Sequence, residues 1–179
     1  RKKNTDDPTL AEAPVLADSG PTAPPIESAG ENRVSQVVVF RLAEQTYALP
    51  IESVQEIQQI VEFTPVPGGS SALVGMIDLR GAVVPAIDLR ALLGLPTRDY
   101  GLDTPMILFN THGRLVALLV DQVEDVAYLP EGCMQPPSNL YALADRIVGI
   151  CKLETGLVVV FDPDKLVPDA ALNMAEELL

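Results

Sequence analysis

The chain repeats itself, and that repeat limits what it can fold into more than any other feature. Val37–Ile57 laid over Met106–Val126, 69 positions on, matches Phe40 with Phe109, Ala48 with Ala117, Leu49 with Leu118 and Val54 with Val123. Acid also faces acid, at Glu52 and Asp121 and at Glu56 and Asp125. Gly75–Leu92 laid over Gly149–Leu166, 74 positions on, matches Gly75 with Gly149, Leu79 with Leu153, Val84 with Val158, Asp88 with Asp162 and Leu92 with Leu166. The chain therefore reads as two copies of one unit. From Val34 onward its texture is of short runs of Val, Ile and Leu, broken every ten residues or so by Gly, Pro or Asp, which is the spacing of a mostly β domain. Candidate strands are Gln36–Leu42, Thr46–Leu49, Glu56–Phe63, Gly75–Leu79, Ala82–Asp88, Met106–Asn110, Leu115–Val120, Val123–Leu129, Ile147–Leu153 and Leu157–Phe161. Each copy then holds about five strands and one helical turn, N-capped by Asp88 or by Asp162 with Pro163 at the first helical position. Five short strands can close into a small barrel, so two barrels packed together are expected, from halves 34–100 and 101–170 with strands free to exchange. Pro168 and Asp169 open a last short helix to Leu179.

Residues 1–33 have a different character. They hold five of the 16 Pro and six acidic residues, with no aromatic residue and no apolar period. Such a segment cannot bury enough surface to offset its ordering entropy, so it reads as a disordered, acidic, Pro-rich tail or linker. The net charge of −13 sets the chain against phosphate backbones and anionic lipid, so neither nucleic acid nor a membrane surface is an expected partner. No apolar run approaches the ~18 residues of a membrane span, and a cytoplasmic location is expected. Cys133 and Cys151, the only cysteines, stand in no C-x-x-C spacing and suggest neither a disulfide framework nor a zinc set. They read as small core hydrophobes.

Catalysis lacks the parts it needs. His112 is the only histidine and sits in Asn110-Thr111-His112-Gly113, a hairpin-turn sequence, which makes it a solvated turn residue rather than a general base. A phosphotransfer protein needs its histidine on an accessible helix, and this one is not placed so. Gly68-Gly69-Ser70-Ser71 has no following Lys and is flanked by Pro65 and Pro67, so it reads as a connecting loop and not a phosphate cradle. Asp121 with Glu124, and Asp162 with Asp164, are explained by turns and caps. No enzyme activity, cofactor or metal is expected.

The unusual stretch runs from Gly75 to Arg90, in which two apolar strands meet at a two-residue corner, Arg80-Gly81, with Gly supplying a positive φ and Arg pushed outward at the tip. With Phe40-Arg41-Leu42, Tyr47 and Val54-Gln55-Glu56-Ile57 upstream, it closely resembles the CheW family of chemotaxis coupling proteins over about residues 35–170. The resemblance implies two intertwined five-stranded SH3-like barrels. It implies a non-catalytic adaptor joining the cytoplasmic tip of a chemoreceptor to the regulatory domain of the CheA histidine kinase. It places the receptor's helical hairpin in an apolar groove between the barrels, and the partner-binding set is Val54, Glu56, Ile57, Arg80, Gly81, Val83 and Val126. Glu56 and Arg80 are expected to form a partly exposed ion pair bordering that groove, with Asp78, where the family commonly has Asn, sharing the Arg. The alternative is a CheW-like module of another scaffold, pole-localising or motility-related, with the N-terminal tail as its linker.

Overall fold

The computed structural model describes residues 36–138 and 142–177, so the acidic tail and the last two residues of the expected final helix lie outside the described residues. The strands are β1 (Gln36–Leu42), β2 (Gln45–Pro50), β3 (Val54–Gln59), β4 (Phe63–Thr64), β5 (Leu73–Leu79), β6 (Ala82–Asp88), β7 (Pro105–Thr111), β8 (Arg114–Leu119), β9 (Gln122–Tyr128), β10 (Met134–Gln135), β11 (Ile147–Leu153) and β12 (Gly156–Phe161). Three short helices complete the order: α1 (Leu89–Leu92), α2 (Pro163–Leu166) and α3 (Asp169–Glu176).

The two sheets do not follow the two halves of the sequence. One runs β10-β11-β12-β2-β1-β9 and the other β4-β5-β6-β8-β7-β3, so the first two strands of each repeat have crossed into the sheet built by the other. We call these barrel 1, containing β1, and barrel 2, containing β7. Each crossover is a parallel junction, with Val160 opposite Ala48 in barrel 1 and Ala86 opposite Ala117 in barrel 2. Those are the positions that the sequence repeat superimposes, so the exchange is symmetric. Both sheets also carry a two-residue edge strand, β4 or β10, too short to be read from alternation in the sequence.

The exchange explains why the central strands are apolar on successive residues instead of alternating with polar ones. Along β1, Val37 and Val39 belong to the interior of barrel 1, whereas Val38, Phe40 and Leu42 belong to a core shared by both barrels. Along β7, Met106 and Leu108 line barrel 2, whereas Ile107 and Phe109 enter the same shared core. Strands with both faces buried lose the alternating pattern. Phe40, Phe109 and Phe161 are fully buried there, and Tyr47 stacks on Phe161 with ring centroids 5.1 Å apart. Phe161→Ala would open a cavity between the barrels at a cost of about 3–5 kcal/mol.

The caps fall where the repeat puts them. The Asp88 carboxylate accepts the Arg90 N–H at 2.8 Å and the Asp162 carboxylate accepts the Asp164 N–H at 3.1 Å, with Pro163 in the first turn of α2. Gly75 and Gly149 mark the crossings of the edge strands. A Cβ at Gly75 would run into the Thr64 carbonyl, and one at Gly149 would lie 2.7 Å from the Gln135 carbonyl oxygen. Glycine is required at both for close backbone approach.

The cysteines differ from expectation. Cys133 and Cys151 form a disulfide, with Cα atoms 5.2 Å apart. Their separation in sequence hides this, but β10 pairs with β11 so that Met134 faces Cys151, which makes Cys133 a diagonal neighbour.

Candidate partner-binding site

The third strand of each repeat, β3 or β9, forms the outer edge of a sheet, and each carries a bulge. Val54 opposes Phe109 and Ile57 opposes Ile107, with a register shift between Val54 and Glu56. Val123 opposes Phe40 and Val126 opposes Val38, with the matching shift in the other barrel. All four partners on β7 and β1 belong to the shared core. Directly paired residues lie on one face of a sheet, so Val54, Ile57, Val123 and Val126 all stand on the face turned toward the other barrel. The extra residue of the bulge puts positions three apart on the same side.

Along each edge, burial falls off in the same way. Val54 and Val123 are half-buried against the shared core. Ile57 is 43% exposed and Val126 is 39% exposed. The seam between the barrels thus opens to solvent past two related aliphatic side chains, one from each. Val83, which is exposed, stands on β6 next to the hairpin tip, and its repeat-mate Leu157 is exposed on β12.

Glu56 faces the other way. It opposes Leu108, a residue of the barrel 2 interior, and its carboxylate lies 3.2 Å from the Arg80 guanidinium. The Arg80 side chain is 82% exposed and that of Glu56 34%, so the pair is a wet clamp between the β3 edge and the β5–β6 tip, worth ~0–1 kcal/mol to the fold. Both corner residues have positive φ, Arg80 at 54° and Gly81 at 86°, as a tight two-residue hairpin turn demands. Asp78 does not share the Arg as expected: its carboxylate accepts the Gly81 N–H at 2.8 Å and caps the turn.

His112 is exposed in the β7–β8 turn, and it is also anchored. Its backbone N–H donates to the Asp164 carboxylate at 2.7 Å, and its ring Nε2 lies 2.6 Å from the Asp164 carbonyl oxygen. This ties a turn of barrel 2 to α2, which follows barrel 1.

The strongest polar contact was not singled out from the sequence. The Arg90 guanidinium donates to both oxygens of Asp121, at 2.7 and 2.5 Å, and to the Pro96 carbonyl at 2.8 Å. Asp121 also accepts the Ala43 N–H at 2.8 Å. The fork joins α1 of barrel 2 to the β8–β9 corner and the β1–β2 turn of barrel 1. Arg90 holds the Asp121 carboxyl below the usual carboxylate range, with burial opposing and the Ala43 N–H assisting. Nearby, burial and the Asp88 carboxylate push the Tyr100 phenol up. The polar cavity beside these groups, about 30 Å³, has room for a water and not for a cofactor. Among the described residues, no group of three or more His, Cys, Asp or Glu could hold a metal ion.

Comparison with known proteins points one way. The sequence model of the CheW-like domain family matches residues 36–171. The chemotaxis protein CheW of Rhizobium meliloti is 28% identical over 135 residues, covering 74% of this chain and 87% of the relative. A probable chemotaxis protein CheW of Rhizobium etli is 32% identical over 111 residues, covering 62% of this chain and 72% of the relative. The crystal structure of the scaffolding protein TtCheW from Thermoanaerobacter tengcongensis superimposes with a TM-score of 0.69 at 30% identity, covering 74% of this chain and 91% of that one.

Proposed function

The chain belongs to the CheW-like family, and on that premise we propose that it is a non-catalytic adaptor of a chemotaxis signalling array, coupling the cytoplasmic tip of chemoreceptors to the CheA histidine kinase. The observation that carries the reading is the seam between the exchanged barrels, where Ile57 and Val126 stand exposed on edge strands backed by a continuous core. A helical hairpin presents an apolar ridge, and a seam with one aliphatic residue on each wall receives such a ridge by helix-in-groove docking. Glu56 on the other face of β3, and Arg80 and Gly81 at the hairpin tip, add polar contacts beside the seam. Val83 and the barrel ends are left for the regulatory domain of the kinase.

Such an adaptor needs rigidity rather than chemistry. The interlocked strands and the Arg90–Asp121 fork make the two barrels one body, so a shift imposed at the seam is carried to a partner on the outer ends. No helix among the described residues is long and apolar enough to cross a membrane, and the protein would work in the cytoplasm, held near the membrane only through receptors.

The test is reconstitution with a purified receptor cytoplasmic fragment and CheA. Receptor control of kinase autophosphorylation should require this chain, and the chain should acquire no phosphate from labelled ATP. Receptor control that is complete without it, or phosphate transferred to His112, would overturn the assignment.

A further inference from the structure

We propose that Cys133 and Cys151 are a reversible redox site whose state decides whether the β10 edge of barrel 1 is locked to the sheet. Three observations carry this. First, the bond joins unlike environments: Cys151 is fully buried in β11 within the barrel 1 interior, whereas Cys133 is half-buried in the turn before β10, with its N–H donating to the Pro130 carbonyl at 3.1 Å. Cys133 is thus the more exposed residue of the pair and Cys151 the sheltered one.

Second, the symmetry of the fold supplies an internal control. In barrel 2 the corresponding edge is β4, which pairs with β5 through Phe63 opposite Ile77 and Thr64 opposite Met76. The positions of Cys133 and Cys151 are taken there by Glu62 and Ile77, and the edge closes with no covalent link. The fold therefore does not need the bond in order to form this strand pair, and its presence in one barrel only calls for another role.

Third, the link spans one of the two shortest strands. β10 contributes two register pairs, Met134 with Cys151 and Gln135 with Ile150. Leu129, which leaves the end of β9, is buried in the same cluster as Cys151, so the state of the bond reaches the strand that carries Val126 and Tyr128. The compartment rests on the functional reading above: in a reducing cytoplasm, a disulfide is transient and redox-sensing rather than structural. The chemistry of the pair does not depend on that reading.

In the closing direction, the Cys133 thiolate attacks a low-molecular-weight disulfide such as oxidised glutathione, forming a mixed disulfide and releasing one glutathione thiolate. Cys151, on deprotonation, attacks the Cys133 sulfur and releases the second. The two protein thiols are oxidised by two electrons, the small disulfide is reduced to two thiols, and the two protein protons end on the released thiolates. Opening is the reverse, with the small thiolate attacking at Cys133, the more exposed of the two.

The experiment uses the full chain in mixtures of reduced and oxidised glutathione, quenched with a thiol-alkylating reagent and weighed intact. The expected result is a reversible step between two labels and none within the range the mixtures span. Amide exchange is then compared between the two forms: residues 131–138 should exchange about tenfold faster when reduced, while residues 61–65 of barrel 2 stay within about twofold. Cys133→Ser, which keeps one thiol, should show the amide exchange of the reduced form under all conditions, and the reduced parent chain gives the same comparison should that variant not fold. Two labels at every mixture, or none at every mixture, would overturn the proposal. So would equal exchange in the two forms, or protection lost across both barrels together. None of these readouts involves a receptor or kinase, so they fail independently of the adaptor assignment.

Discussion

Replacing Asp121 with Asn should separate the two kinds of ion pair in this molecule. The side chains of Arg90 and Asp121 are 15% and 14% exposed and meet through two hydrogen bonds, so a neutral amide in place of the carboxylate would leave a largely buried guanidinium with the Pro96 carbonyl as its remaining strong acceptor. Breaking a buried pair by removing one partner costs about 3–5 kcal/mol, and the residual exposure favours the lower end. For a folded domain of this size, about 3 kcal/mol lowers the melting temperature by roughly 6–12 °C. Arg80→Ala removes the other pair, which is 82% and 34% exposed, and should cost ~0–1 kcal/mol, a shift of at most roughly 4 °C. Thermal unfolding followed by circular dichroism gives both numbers. The pH dependence adds a second check. Because Asp121 has its folded pKa depressed, its contribution is fully present above the unfolded carboxylate value of ~4 and is lost as pH falls through the lower folded value. The gap between parent and Asp121→Asn should therefore be constant from neutral pH down to about pH 5 and narrow only in acid below the unfolded value. Equal, small shifts for Asp121→Asn and Arg80→Ala would refute the idea that the buried fork fastens the barrels together.

Three further outcomes follow from the geometry. Gly75→Ala should destabilise by about 1–3 kcal/mol, because its Cβ meets the Thr64 carbonyl rather than a side chain that can move, and chemical denaturation would read the loss. Reducing the Cys133–Cys151 bond, whose ends are 18 positions apart, should remove about 3 kcal/mol in the chain-entropy account while leaving the domain folded, as seen by denaturation with and without reductant. In a double-mutant cycle on stability, Glu56→Ala and Arg80→Ala should couple by no more than ~1 kcal/mol, and a larger coupling would mean that the pair is shielded from water.

The sequence carried the fold because its constraints were local and duplicated. The ten longer strands, both Asp caps and the two-barrel plan could be read from apolar runs, turn residues and the repeat, although the candidate Glu56–Phe63 ran past the end of β3 at Gln59 into β4. β4 and β10 escaped because two residues cannot show an alternation, and they are held by backbone contact at Gly75 and Gly149. The site was legible in part. Ile57 and Val126 came from the resemblance, yet the repeat already superimposes them, and the spacing of three from Val54 and from Val123 is the trace of the two bulges. The Arg90–Asp121 fork was missed because it joins residues brought together across the exchange, and the disulfide because its two cysteines meet only through the β10–β11 pairing; linear spacing reports neither.

The most direct test of the account is the affinity of an immobilised receptor-tip helical hairpin for the parent chain, Ile57→Asp and Val126→Asp, measured beside affinity for the kinase regulatory domain. Both positions are exposed edge residues, so both variants should fold. Each loses the burial of one aliphatic side chain, about 1.5–3 kcal/mol, and receptor affinity should fall by roughly 10- to 150-fold while kinase affinity stays nearly unchanged. Receptor binding at parental strength by both folded variants would contradict docking at the seam between the barrels.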